Sequence, residues 1–196
     1  MFLSFFSIWS DQGRAGNQQE EQLASSVVTT MSRSVENINP ARLIFPNERL
    51  AQAWFQEMDR RLSRFVPSTN ERKNLLIHLQ YEASRAGLDP QLILGLVEVE
   101  SRFRRYAISL VGARGLMQVM PFWVRQIGSP EHNLFDMRTN LRYGCTILRY
   151  YLDRENGNLF RALARYNGSL GSAVYPNAVL RAVKLNWQYN GPSDWD

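Results

Sequence analysis

Hydrophobic residues recur at helical spacing along most of the chain. The first such pattern places apolar residues every three or four positions, at Leu50, Trp54, Met58, Leu62 and Phe65. Ser68 and Glu71 form a capping box for a second helix, and Gly87 is its predicted end. Further helical patterns cover residues 122–127, 138–156 and 176–189. Because no alternating strand pattern and no internal repeat is found, the chain is predicted to be all-α.

The most informative predicted helix covers residues 89–101. Asp89 suits its N-cap and Pro90 its first helical position. Its apolar stripe is formed by Leu92, Ile93, Leu96 and Val97. On a helical wheel that starts at Leu92, Glu100 falls at about 80°, inside this stripe, and Glu98 at about 240°, on the opposite face. We therefore expect Glu98 to be solvated and Glu100 to point where the hydrophobic residues point.

A carboxyl group on an apolar helix face is a candidate general acid. Loss of hydration disfavours its charged form and raises its pKa, so that the proton is kept near neutral pH. A structural ion pair is the alternative, because several arginines lie close in sequence: Arg102, Arg104, Arg105 and Arg114. The helical wheel alone leaves both interpretations of Glu100 open.

A glycine-bent segment follows this helix and ends in Gly-Leu-Met-Gln-Val-Met-Pro at residues 115–121. Residues 100–121 as a whole closely resemble the signature of the soluble lytic transglycosylase (SLT) domain. Two later blocks also match the family, and they occur in the family's order. These are Asn-Leu-x-x-Gly at residues 140–144 and Arg-Tyr-Asn-Gly at residues 165–168. The resemblance covers roughly residues 70–190, which is most of the chain.

The resemblance implies an all-α, goose-type-lysozyme-like fold with a single catalytic domain and a substrate cleft. It also implies cleavage of the β-1,4 bond between N-acetylmuramic acid and N-acetylglucosamine in peptidoglycan, without water, leaving a 1,6-anhydromuramyl end. In the family the Glu of the Glu-Ser pair is the only catalytic carboxylate, and it maps onto Glu100. Glu100 would protonate the leaving oxygen and then take the proton of the muramyl 6-hydroxyl, while the substrate's N-acetyl carbonyl stabilises the positive charge.

Five further residues are expected at the substrate. Ser109 stands nine residues after Glu100, as in the family, and would bind the muramyl N-acetyl group, although a loop-capping serine is the plain alternative. Gln118 offers a donor and an acceptor for a sugar amide or hydroxyl. By resemblance Met120 lines the cleft, the Tyr166 hydroxyl lies near the catalytic carboxyl or the N-acetyl group, and Asn167 orients the turn beside them.

One segment departs from the family's pattern. Many members carry a Glu-Thr pair shortly before a tyrosine and valine that begin the next helix. Residues 169–180 keep a tyrosine, Tyr175, with valine and leucine after it, but lack the acidic pair. The departure concerns contacts to sugar or peptide on this side of the cleft and does not touch Glu100.

Two alternatives to a transglycosylase stay open. In a hydrolytic, goose-type lysozyme-like muramidase, water would replace the 6-hydroxyl as the attacking group. In a non-catalytic peptidoglycan-binding module, the fold would be retained without the chemistry. An intact Glu100 beside the residues 115–121 argues against the binding module, because a pure binder has no need of an acid there.

Charge and residue types exclude other chemistries. The net charge of +5 favours an anionic wall polymer or membrane surface, and no nucleic-acid motif accompanies it. Cys145 is the only cysteine, so no internal disulfide forms, and we expect it to be buried. His78 and His132 stand in no recognisable motif, so neither a metal site, a cysteine nucleophile nor any cofactor is predicted.

The chain of 196 residues fits one domain plus an appendage. Residues 1–9 are apolar but too short to span a bilayer, and we interpret them as a truncated export signal or a peripheral anchor. Residues 10–46 are polar and predicted to be a flexible leader, followed by the catalytic domain at residues 47–196. We expect a monomer in the bacterial periplasm or cell envelope, acting on peptidoglycan glycan strands, with a cell-envelope or secretion-machinery protein as a candidate partner.

Overall fold

The computed structural model describes residues 18–36 and 39–191 of the chain. Within these ranges the backbone forms eight α-helices and one π-helical turn, and it contains no β-strand. In chain order the elements are α1 (Ser25–Val35), α2 (Glu48–Leu62), α3 (Thr69–Arg85), α4 (Pro90–Ser101), α5 (Phe122–Ile127), α6 (Met137–Arg154), α7 (Leu159–Asn167), α8 (Val174–Ala182) and the π-helical turn Val183–Trp187. The predicted all-α class is confirmed for this part of the chain. The predicted apolar stub at residues 1–9 lies outside the described residues.

Local capping signals set the starts of most helices. In each case the side chain of the capping residue accepts a hydrogen bond from a backbone N–H of the first turn. The caps are Asn47, Ser68, Asp89, Asp136 and Asn158. The starts predicted at Ser68 and Asp89 are therefore confirmed. Gly168, with φ at 75°, ends α7 in the left-handed conformation that glycine adopts readily.

Helix α6 packs against α1, α3 and α7, while α4 packs against α3, α8 and the π-helical turn. A glycine in each of α6 and α4 allows a neighbouring segment to approach the helix closely. A Cβ on Gly144 of α6 would lie 2.3 Å from the sulfur of Met117, and one on Gly95 of α4 would lie 2.5 Å from a methyl group of Val183. The residues 115–121 can therefore rest directly on α6, and the π-helical turn directly on α4.

A buried carboxylate joins α3 to α6. Glu82 is fully buried, and it accepts hydrogen bonds from Arg85 at 3.0 Å, Arg138 at 3.1 Å and Arg142 at 3.4 Å. Three guanidinium groups around one carboxylate compensate the desolvation of its charge. This cluster lies between α3 and α6, and it therefore helps to hold the helix that carries residues 140–144.

The structure differs from the predicted flexible leader at residues 18–36. Helix α1 packs against α5 and α6, and it buries Met31 and Val35 in the common core. Arg142 of α6 also donates a hydrogen bond to the backbone oxygen of Val35 at 3.0 Å. The sequence of α1 is rich in Ser, Thr and Val and buries few residues, so its helix depends on tertiary packing that periodicity cannot detect. The domain boundary at residue 46 stays a prediction.

Candidate active site

Glu100 lies in the last turn of α4 and is 5% exposed. The hydroxyl of Tyr175, in the first turn of α8, donates a hydrogen bond to its Oε1 at 2.6 Å. The other oxygen, Oε2, is buried and has no hydrogen-bond partner among the described residues. Neither oxygen contacts an arginine of the described chain, so the ion-pair alternative is not what the structure shows.

Burial raises the pKa of Glu100 to about 8, and the hydrogen bond from Tyr175 opposes part of this rise. Burial acts in this direction because the charged form loses its hydration. No other carboxylate of the described residues contributes to the shift. At neutral pH the group is therefore mainly protonated. Because Oε1 accepts from Tyr175, the proton belongs on Oε2, where no protein acceptor competes for it.

The chain reverses immediately after Glu100. Arg102 and Phe103 have φ values of 51° and 62°, in the left-handed region that non-glycine residues rarely occupy. The Phe103 ring packs 5.1 Å from that of Phe65 and 5.4 Å from that of Trp187. This packing holds the strained reversal, which separates α4 from the following loop.

Asn140, at the start of α6, holds the Gly-Leu-Met-Gln segment in place. Its carboxamide accepts from the backbone N–H of Met117 at 2.8 Å and donates to the carbonyls of Arg114 and Leu134, both at 2.8 Å. Gly144, one helical turn after Asn140, leaves room for the Met117 side chain. Residues 140–144 therefore form the surface against which residues 115–121 pack. The second family block thus positions the first.

Gln118 and Ser109 both shape the loop that follows the reversal. Gln118 is 2% exposed, and its amide donates to the backbone oxygens of Gly115 at 2.9 Å and Ala107 at 3.2 Å. The Ser109 hydroxyl accepts from the N–H of Ala113 at 3.0 Å, which leaves its own hydrogen available for a ligand. Contacts from these two side chains to a sugar stay predictions.

Tyr166 lies close enough to Glu100 for the two groups to interact electrostatically. It is fully buried, and its hydroxyl donates to the backbone oxygen of Met117 at 2.7 Å. Burial raises its pKa well above the ordinary value, and the proximity of Glu100 raises it further. Asn167 is buried at the end of the same helix, and Met120 is half-buried beyond the Gly-Leu-Met-Gln segment. Their contacts with a substrate also stay predictions.

Tyr175 is the site residue that the sequence analysis did not identify. It stands 75 positions after Glu100 and provides the only hydrogen bond that Glu100 accepts within the described chain. The available signal was the tyrosine that residues 169–180 share with the family. Its own pKa is raised by burial and by Glu100, so its phenol stays protonated and remains a donor.

Gln18, in the segment predicted as a leader, is a second unforeseen neighbour. Its Oε1 accepts from the indole N–H of Trp123 at 2.9 Å and from the N–H of Met120 at 3.4 Å. Its amide lies close enough to the Tyr166 hydroxyl to lower the pKa of that group, but Nε2 lacks the geometry of a hydrogen bond and has no partner. No sequence signal pointed to this insertion.

Glu98 is not simply solvated, which corrects the expectation from the helical wheel. It is half-buried and accepts from the amide of Asn186 at 2.8 and 3.0 Å and from the indole of Trp187 at 2.6 Å. These bonds fix the π-helical turn against α4, and α8 therefore ends at Ala182 instead of continuing to residue 189. The π-helical turn that covers Glu98 lies far away in sequence, so a helical wheel of α4 alone cannot reveal it.

Comparisons with known proteins agree with these motifs. The family described as the transglycosylase SLT domain matches residues 78–177. A transglycosylase of Enterobacteria phage PRD1 is 34% identical over 117 residues, which cover 56% of this chain and 43% of the phage protein. A membrane-bound lytic murein transglycosylase C of Haemophilus influenzae is 34% identical over 126 residues, covering 55% of this chain and 35% of that protein.

Among solved structures, an inactive mutant of the lytic transglycosylase Slt from Pseudomonas aeruginosa is similar at 23% identity, with a TM-score of 0.43. The match covers 86% of this chain and 35% of that protein. The chain spans less than half the length of each of these three proteins.

Proposed function

The chain belongs to the transglycosylase SLT domain family, and from this premise we propose that it is a peptidoglycan lytic transglycosylase with Glu100 as its single acid and base. The reaction would cut the β-1,4 bond after N-acetylmuramic acid and leave a 1,6-anhydro end. The observation that carries the proposal is the buried carboxyl of Glu100, with a pKa of about 8 and an unpartnered Oε2. All-α packing and family membership support a lysozyme-like catalytic domain at residues 47–196.

The acid step uses the proton on Oε2 of Glu100. With a pKa of about 8, most molecules carry this proton at neutral pH, and the Tyr175 hydroxyl orients the carboxyl through Oε1. The glycosidic oxygen would accept the proton as the bond to the anomeric carbon breaks. Because Oε2 is buried in the free protein, substrate has to displace part of the surrounding wall to reach it.

The base step follows on the same residue. Once Glu100 has given up its proton, the Tyr175 hydroxyl stabilises the resulting carboxylate, which is why this bond lowers the pKa. The carboxylate would then accept the proton of the muramyl 6-hydroxyl as that oxygen attacks the anomeric carbon. A pKa near the working pH suits a group that must act in both directions.

The presence of a single carboxylate favours the mechanism in which Glu100 acts as both acid and base over hydrolysis by a pair of carboxylates. Most glycosidases place a second carboxylate within about 5 to 10 Å of the acid. No second carboxylate influences the pKa of Glu100 in the described residues, and Glu98 is held by the π-helical turn instead. The substrate's own N-acetyl carbonyl would therefore stabilise the positive charge that develops at the anomeric carbon.

The remaining site residues would form the walls of the substrate cleft. Ser109 keeps a hydroxyl hydrogen for the N-acetyl group, while Met120 and Tyr166 border the segment that Asn140 fixes. Gln118 and Asn167 would act mainly through the turns that they hold. We further propose that the protein works in the bacterial cell envelope, on the periplasmic side, as a monomer on glycan strands. A secretion-machinery or other envelope protein is a candidate partner.

The test is the mass of the products released from purified peptidoglycan. We expect the parent protein to release muropeptides that are lighter than hydrolytic products by one water molecule and that resist borohydride reduction. Glu100→Gln should release none, although its fold is intact. Glu98→Gln is the matched control, because it makes the same substitution on the same helix and should remain active.

Each other outcome identifies an alternative. Reducing ends that carry the additional water would indicate a lysozyme-like muramidase. If the parent releases no product but still sediments with peptidoglycan, the binding module becomes the better account. Activity that survives in Glu100→Gln would remove Glu100 from the chemistry.

A further inference from the structure

An exposed apolar turn projects from the loop after Glu100. Gly112 donates its N–H to the oxygen of Ser109 at 3.0 Å, which makes Leu110 and Val111 the two central residues of a β-turn. Leu110 is 96% exposed and Val111 is 50% exposed. No atom outside its immediate chain neighbours lies within 4 Å of the Cβ position of Gly112, so the space beside this end of the turn is open. Surface turns ordinarily carry small or polar residues at these positions.

Two more exposed apolar side chains extend the same surface. Tyr106 is 69% exposed and Ile108 is 65% exposed. The base of the loop is firmly attached, because the Tyr106 ring lies 6.2 Å from that of Phe135 and the Arg105 side chain donates to the oxygen of Phe135 at 2.9 Å. We call residues 106–111 the apolar loop. It is an anchored projection with apolar side chains along its length.

The sequence around the apolar loop is rich in arginine. Residues 101–130 contain five arginines and no acidic residue. Arg105 pairs with Asp136 at 3.8 Å, whereas Arg102, Arg104 and Arg114 are exposed and have no carboxylate partner among the described residues. The loop therefore combines exposed apolar side chains with guanidinium groups that have no carboxylate partner. Together these two features favour binding to a surface that is both anionic and apolar.

We propose that the apolar loop docks the protein onto a bilayer surface that contains anionic lipid. Leu110 and Val111 would enter the acyl boundary, Tyr106 would lie at the headgroup level, and the neighbouring arginines would bind lipid phosphates. The turn suits this environment because its own hydrogen bonds already satisfy part of its backbone, including two between Ser109 and Ala113. A polar glycan would offer no apolar environment in which the exposed Leu110 side chain could be buried. This role goes beyond the proposed chemistry.

The test measures how the purified full chain partitions onto vesicles, without peptidoglycan. One vesicle type contains equal parts of phosphatidylglycerol and phosphatidylcholine, and the other contains phosphatidylcholine alone. Leu110→Ser combined with Val111→Ser should weaken partition onto the anionic vesicles at least tenfold. Arg104→Gln should weaken it about fivefold, the effect of one cationic side chain near such a surface.

Leu185→Ser is the matched control. Leu185 is 66% exposed and lies beside Lys184 and Arg64, but it lies outside the apolar loop and belongs to no apolar turn. We expect its partition to equal that of the parent. Residues 1–9 are also apolar and could bind vesicles in every variant. The proposal is therefore tested by the difference in partition between Leu185→Ser and the double variant. Far-ultraviolet circular dichroism and thermal melting should match the parent in all variants, since the changed side chains are exposed.

Four results would overturn the proposal. The parent could fail to bind anionic vesicles, or it could bind phosphatidylcholine alone equally well. Loss of the same size in Leu185→Ser and in the double variant would show that the apolar loop has no special role. A parent that is dimeric by light scattering, with a monomeric double variant and unchanged vesicle binding, would identify a second copy of the chain as the occupant.

Discussion

Glu100→Gln should stabilise the folded protein increasingly as the pH rises. The folded protein holds the Glu100 proton with a pKa of about 8, against an ordinary value of 4.5 in the unfolded chain. A raised pKa stabilises the protein fully below pH 4.5, and this contribution is lost as the pH rises through about 8. Glutamine has no charge to bury, so the variant does not share the loss.

The magnitude follows from the separation of the two pKa values. The parent should lose stability relative to the variant at about 1.4 kcal/mol per pH unit between the two pKa values, up to about 5 kcal/mol in total. Most of this loss is complete by pH 8. The side-chain oxygen of the glutamine can still accept a hydrogen bond from Tyr175, but its NH2 group would have no acceptor. This unpaired group changes the free energy of unfolding of the variant by an amount that does not depend on pH.

The assay is urea unfolding of both proteins at a series of pH values from 2 to 9, monitored by fluorescence. The difference between parent and variant isolates Glu100 from all other titrating groups. Glu57→Gln is a control of opposite sign, because Arg60 and Arg61 lower the pKa of Glu57 to about 2. Its stabilising contribution is present above pH 4.5 and lost as the pH falls toward 2. A parent–variant difference for Glu100 that is constant across pH would refute the raised pKa.

Two further changes test the arrangement around Glu100. Tyr175→Phe removes a bond worth about 1.5–3 kcal/mol to the carboxylate. The alkaline limb of the pH–activity profile should therefore rise by about 1–2 units, and turnover should fall. An unmoved limb would contradict this role. Gly144→Ala places a Cβ 2.3 Å from the sulfur of Met117 and should cost about 1–3 kcal/mol in thermal unfolding. Adding Met117→Ala should recover part of the loss from Gly144→Ala, and a purely additive double variant would exclude the clash.

Much of the fold is encoded locally and was therefore predictable. Asp89 and Pro90 begin α4, Ser68 begins α3, and Gly168 ends α7, because each of these acts on the nearest turn of backbone. The apolar stripe of α4 likewise placed Glu100 on the buried face, which the structure confirms. Such signals act within a few residues, so a sequence contains them in full.

Helix α1 and the end of α8 were missed for the complementary reason. The few buried residues of α1 stabilise a helix only because α5 and α6 lie beside it. Glu98 faces away from the apolar stripe of its own helix, yet Asn186 and Trp187 cover it. Both residues belong to the π-helical turn, and both donate hydrogen bonds to the Glu98 carboxylate. Neither effect leaves a periodic pattern in the segment concerned.

For the candidate site, the sequence by itself predicted Glu100 as the acid. It also determined the order of the family blocks and the absence of a partner carboxylate in the motif. Only the tertiary structure decided how Glu100 is held. Tyr175 reaches Oε1 from 75 positions away, Asn140 seats the segment around Met117, and Gln18 enters from the N-terminal side. A pKa depends on the burial and the hydrogen bonds that distant segments create together, and those exist only after the chain has folded.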